Sequence, residues 1–190
     1  MPTCPPFRPH AWRAALTSAA CAFVLAGCAT PEPVRPPVDG GLALPAGYAT
    51  WPRFLSTIDK EAAKQVREIY MNPAATQGTA AAGFPHGSQF VMEIYAAAAM
   101  PDGTLKKDAQ GRLEKGPLSQ VFMMAKGPGW GQDVPEAQRN GEWVYTAFAA
   151  DGTPKPGSAA ACRACHLPQK ANDYVIHAER YHAMRAAAPR

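Results

Sequence analysis

The stretch AAACRACHLPQKANDYV, residues 159–175, places two cysteines and a histidine within five consecutive positions. On a helix, positions i, i+3 and i+4 share one face. Cys162 and Cys165 could therefore reach the two vinyl groups of one porphyrin edge while His166 turns under the ring toward the iron. Cys-x-x-Cys-His is the signature of c-type haem attachment. Other chemistries use the same residue types less completely. A structural zinc site wants four ligands, commonly with a second cysteine pair, and the chain offers none. A thioredoxin-like redox pair opens a helix after a strand in a βαβ context, which this sequence lacks. A disulfide across two residues is strained and leaves the histidine unused. One covalently attached haem c, held by Cys162 and Cys165 with His166 as axial iron ligand, is the expectation.

The thiols elsewhere support this reading. Arg8 and Arg13 precede an apolar run, AALTSAACAFVLA (14–26), that is shorter than the roughly 20 residues of a permanent span. It reads as an export signal over residues 1–27. Its end, Leu25-Ala26-Gly27-Cys28, resembles the bacterial lipobox, whose cysteine is acylated and becomes the new N-terminus. Ala29 is not the aspartate that retains such proteins at the inner membrane. The expectation is a lipoprotein acylated at Cys28, exported to the periplasm and anchored to the outer membrane. Cys4 and Cys21 leave with the signal, so Cys162 and Cys165 are the cysteines of the folded part, in an oxidising compartment. Removing Arg8 and Arg13 leaves 17 basic residues against 15 acidic. No run or face concentrates the basic ones, so nucleic acid is not an expected partner.

Nine of the twenty prolines fall within residues 1–45. Residues 28–45 therefore read as an extended Pro/Gly-rich tether, with the haem domain over 46–182 and a tail over 183–190. FVMEIYA (90–96), LSQVFMMAK (118–126) and GEWVYTAF (141–148) are aromatic and β-branched runs bounded by Gly, Pro and Asp turns, hence strands. QVREIYMNP (65–73) suits a strand or the end of a helix, and 101–117 a loop or solvated hairpin. SAAACRACH (158–166) suits a helix, with Ser158 as N-cap. The sum is a mainly β (α+β) domain, an antiparallel β-sheet with a few short helices and the haem helix near the C-terminus. Gly and Pro breaks exclude a four-helix bundle.

Only 24 residues follow His166. In small electron-carrying cytochromes c the motif comes early and a downstream Met supplies the sixth ligand, so here any distal ligand must come from upstream. Met92, Met100, Met123, Met124 and His86 are available, but methionines in strands are more often core filler, and His86 reads as a surface turn residue. His177 and His182 follow the motif too closely to cross the haem.

ACRACHLPQKANDYV resembles the cytochrome P-460 family, which includes cytochrome c′-beta. YATWPRF (48–54), REIYMNPAA (67–75), FPHGSQFVMEIY (84–95) and GEWVYTAF (141–148) resemble that family's successive segments in order. The resemblance implies an antiparallel sheet, a homodimer, and a five-coordinate haem c with His166 as proximal ligand. Family members either oxidise hydroxylamine or bind nitric oxide and carbon monoxide. The oxidising members carry a porphyrin-linked lysine at the position matching Met92, within Phe84…Gly87…Val91-Met92-Glu93. A thioether has no amine to form that link. The favoured expectation is nitric oxide or related small-ligand binding at an open distal site, with Met92 and an apolar pocket from Phe90, Phe122 and Phe148. Glu93 points to the opposite face of its strand. The alternatives are hydroxylamine oxidation and lipid-anchored electron transfer with a redox-partner cytochrome.

Overall fold

In a computed structural model, residues 35–157 and 159–188 are described; the signal segment, Cys28 and the Ser158 cap lie outside them. Six strands run in chain order, each antiparallel to the one before: β1 (Ile58–Lys60), β2 (Gln65–Met71), β3 (Gln89–Ala97), β4 (Lys115–Lys126), β5 (Trp143–Ala149) and β6 (Pro154–Lys155). Helix α1 (Ala159–His166) carries the cysteine motif and α2 (Ala178–Ala187) follows it. The expected mainly β fold is thus the one observed.

The segment 65–71 is a strand because its burial alternates with period two: Val66, Glu68 and Tyr70 are buried while Gln65, Arg67 and Ile69 are not fully so. The charged residues of 57–68 sit instead on β1, on a single 3-10 turn (Glu61–Ala63) with Lys64 after it, and on β2, where Arg67 points outward and Glu68 is buried. Residues 101–117 form a solvated hairpin, bridged Ala99 to Leu105 and Lys107 to Leu113, and β4 begins within it at Lys115.

Register sorts the sheet into two faces, because directly paired residues share a side. On one face lie rows such as Met71–Phe90–Met124–Tyr145, and next to it Ile69–Met92–Phe122–Ala147. The first row packs with Phe54, Phe84, Val175 and Tyr181 beneath α1 and α2. The other face carries Val91, Val121, Met123, Val144 and Phe148, covered by Leu42 with Tyr48 and Trp51.

Three sequence expectations change. Phe148 pairs with Val121 and so faces away from Phe90 and Phe122, which removes it from their pocket. The tail assigned to 183–190 is helical as far as Ala187, where Arg185 donates to the Thr76 carbonyl at 2.5 Å. The tether assigned to 28–45 is packed in its second half. Leu42 is buried, its N–H donates to Thr146 Oγ1 (3.1 Å), and the Gly40 N–H donates to the Tyr145 carbonyl (2.8 Å). An extended Pro-rich backbone keeps its amides free, and here they bond along β5.

Met92 and Glu93 point to opposite faces, as expected. Glu93 is buried behind the sheet, accepting from Tyr48 (2.8 Å) and Tyr95 (2.7 Å). Its cross-strand neighbour Glu68 is also buried and pairs with Arg53 and Lys115, each at 3.0 Å. Burial alone would raise the Glu68 pKa, but Arg53 and Lys115 outweigh it and hold the carboxyl below its ordinary value. A depressed folded-state pKa contributes stability that is complete above the unfolded value of about 4.3 and is lost as pH falls through the folded one. Urea midpoints should therefore hold steady from neutrality to about pH 5 and then fall, and Glu68→Gln should flatten that acid limb.

Candidate haem site

Cys162, Cys165 and His166 all lie within α1, so their i, i+3, i+4 spacing places them on neighbouring positions of one helical face. Both cysteines are free thiols, Cys162 half-buried and Cys165 exposed. Burial is the main influence pushing the Cys162 thiol pKa up, so it is protonated at neutral pH. His166 Nδ1 lies 2.6 Å from the Tyr174 carbonyl oxygen. The carbonyl can only accept, so Nδ1 carries the proton and Nε2 keeps a free lone pair. Burial pulls the His166 pKa down, with the Tyr174 carbonyl opposing it, and the ring is neutral. This is the state of a metal-ligating imidazole whose other nitrogen is tied to a backbone carbonyl.

The Tyr174 carbonyl is placed by an unusual backbone. Asp173 (φ 52°) and Tyr174 (φ 58°) are consecutive non-glycine residues in the left-handed region, each at a cost of order 1–3 kcal/mol. Asp173 offsets this through its side chain. Its carboxylate accepts Lys126 Nζ (2.8 Å), the Phe84 N–H (2.8 Å) and Trp143 Nε1 (3.4 Å), joining the loop after α1 to β4, to β5 and to the segment before β3. Gly83 permits the approach: at φ +70°, a Cβ there would stand 2.8 Å from Asp173 Oδ2.

The other side of α1 is held by Arg163, which is 2% exposed. Its Nε and Nη2 donate to Asp39 at 2.6 and 3.0 Å, and Nη2 also reaches the Trp143 carbonyl at 3.2 Å. Asp39 further accepts the Tyr145 N–H at 3.0 Å. A bidentate guanidinium–carboxylate pair thus fastens α1 to residues that composition assigned to a tether. Tyr145 lies against His166 with ring centroids 5.2 Å apart.

Of the upstream candidates, Met92 is partly buried on the Tyr145 face, one row further along, a step of roughly 7 Å. Met124 is buried in that face's core, whereas Met123 is buried on the opposite face. Met100 is 48% exposed, and His86 is exposed and pairs with Glu142 at 2.5 Å. His182 stacks on Phe84. Among the described residues no group of three or more His, Cys, Asp or Glu could hold a metal ion, which leaves the zinc reading without a ligand set.

The donor set fits a haem: two reduced thiols one helical turn apart, a neutral imidazole with Nε2 free, and the partly buried row Ile69–Met92–Phe122 on the same sheet face. Sequence reasoning missed Asp39, Asp173, Tyr145 and the role of Arg163. The one available signal was Arg163 itself, a charged residue on an alanine-rich helix.

Asp173→Ala should cost about 2 kcal/mol, in the range for losing hydrogen bonds to a charged group, since the pair with Lys126 is part-buried and Lys126 would keep only the Phe84 carbonyl. Urea denaturation measures it, and the yield of haem-loaded protein should fall in parallel.

No curated protein matches this sequence. The family model for Cytochrome P460 matches residues 45–177, a span that begins before β1 and ends one residue short of α2. The chain belongs to the cytochrome P460 family of haem proteins.

Proposed function

We propose that the protein is a lipid-anchored monohaem cytochrome that binds nitric oxide or a related small ligand at an open axial position of its iron. The observation that carries this is Met92. It stands where the hydroxylamine-oxidising relatives resembled here carry their porphyrin-linked lysine, on the partly buried apolar row Ile69–Met92–Phe122. The thioether cannot make that link, and the row around it offers apolar side chains.

In this reading Cys162 and Cys165 hold one haem c through thioethers and His166 Nε2 binds the iron. The haem supplies an iron whose far side accepts a diatomic ligand. The chain's residues do the rest. The Tyr174 carbonyl holds the imidazole proton on Nδ1, Asp173 and Lys126 hold Tyr174, and Arg163 with Asp39 fixes the helix that presents both sulfurs. Ile69, Met92 and Phe122 would offer the haem an apolar strip of the sheet, with Arg67 and Gln120 in the next row of the same face. Acylation at Cys28 would keep the domain at the outer membrane facing the periplasm, where a redox-partner cytochrome could reduce it.

The purified holoprotein should show a high-spin ferric spectrum and bind nitric oxide once reduced. A low-spin spectrum with a methionine–iron charge-transfer band would instead favour electron transfer, with Met92 as sixth ligand. Steady oxidant-linked consumption of hydroxylamine would establish the oxidase reading despite Met92.

Intact mass provides a separate check on attachment. The mature chain should carry one haem and one lipid, the lipid lost in Cys28→Ala. In a Cys162→Ser, Cys165→Ser double variant, acid–acetone extraction should remove the haem that the parent retains.

A further inference from the structure

Tyr145 is 2% exposed, and its hydroxyl has no hydrogen-bond partner among the described residues. A phenylalanine would pack there equally well and would spare the desolvation of a hydroxyl, since a buried hydroxyl left unpaired is costly. The ring is held on all sides. It meets the His166 imidazole at 5.2 Å and 52°, and the Arg163 guanidinium lies 5.4 Å from its centroid. Its backbone is fixed by the Asp39 carboxylate at the N–H (3.0 Å) and by the Gly40 N–H at the carbonyl (2.8 Å).

Two more buried polar atoms without partners, Arg163 Nη1 and Asn140 Oδ1, stand beside the same helix, to which Asn140 Nδ2 is bonded through the Arg163 carbonyl at 3.3 Å. Of the four buried side-chain atoms left unpaired among the described residues, these three gather around the helix that carries the attachment motif, the fourth being Ser88 Oγ. On the sheet, Tyr145 also stands at the edge of the site, since the next residue of its strand on the same face, Ala147, belongs to the row of Met92 and Phe122.

We propose that Tyr145 is a positioning residue for the iron ligand: its ring fixes the plane of the His166 imidazole, and its hydroxyl donates to an acceptor present only once the haem is in place. The imidazole then has two constraints, the Tyr174 carbonyl at Nδ1 and the phenol ring against its side. Asp39 extends this control to the N-terminal strap, because one carboxylate orients both Tyr145 and Arg163.

The inference rests on the proposed haem attachment, which is measured first by the pyridine haemochrome of the wild-type protein. Absence of covalent haem there overturns both readings together. With haem present, electron paramagnetic resonance of the ferric holoprotein reports the imidazole plane through the rhombicity of the signal. Tyr145→Leu should broaden that signal and change its rhombicity, whereas Tyr145→Phe should keep it narrow and close to wild type. Tyr145→Phe should also melt several degrees lower than wild type, because the hydroxyl has a partner in the loaded protein. A leucine variant with the wild-type signal, or a phenylalanine variant that melts at or above the wild-type temperature, would overturn the proposal. If the leucine variant does not retain haem, the melting of Tyr145→Phe carries the test alone.

Discussion

The site depends first on the Asp173 carboxylate. Lys126, the Phe84 amide and the Trp143 indole converge on it from different parts of the chain, so the loop after α1 has only one place to sit. Two successive left-handed residues follow from that anchoring, and they aim the Tyr174 carbonyl at His166 Nδ1. The proton assignment of His166 is thus fixed by an ion pair that never touches it. A carboxylate with several hydrogen bonds in a largely buried setting is better suited to this than apolar packing, which tolerates small slides that a directed hydrogen bond does not.

The sheet is used on both sides, and adjacent residues of β3 do different work. Met92 belongs to the row beside that of Tyr145, while Glu93 receives two tyrosine hydroxyls on the opposite face. The buried Glu68–Glu93 neighbours would repel each other, but Arg53 and Lys115 neutralise one and phenols satisfy the other. Burial and Glu93 push the Tyr48 and Tyr95 phenols upward. Burial with the nearby carboxylates pushes Tyr70, which donates to Glu68 at 3.4 Å, to about 12, so all three remain hydrogen-bond donors. The segment around Tyr48 is thereby fastened to the face of the sheet opposite Met92.

Much of the fold was legible because strands announce themselves by alternation and turn residues. The runs at 90–96, 118–126 and 141–148 lie within β3, β4 and β5, apart from the first two residues of the third. The Cys-x-x-Cys-His pattern is legible for a similar reason, since its spacing is local, and the structure places it on one helix as expected. What failed was non-local. Phe148 was placed with Phe90 and Phe122 by residue type, and only register shows that it faces the other way. Asp39 lies in a Pro-rich segment whose composition suggests an extended tether and says nothing about what that segment lies against. Asp173 and Tyr174 carry no local signal for positive φ, which is imposed by tertiary contacts.

The meander has a consequence for assembly. Every strand pairs with its predecessor, so the ladders form between neighbours in the chain, across connections of 4 to 17 residues, and need no more distant part of it. The pair between Asp39 and Arg163 is the opposite, spanning 124 positions. As the polypeptide emerges from its amino end, β1 to β6 can be in register before CRACH arrives, and the strap waits on β5 with its carboxylate exposed to the newcomer. The sheet is complete before residues 162–166 join it, and α1, the first of the two helices to follow, locks the segment around Asp39 down through Arg163.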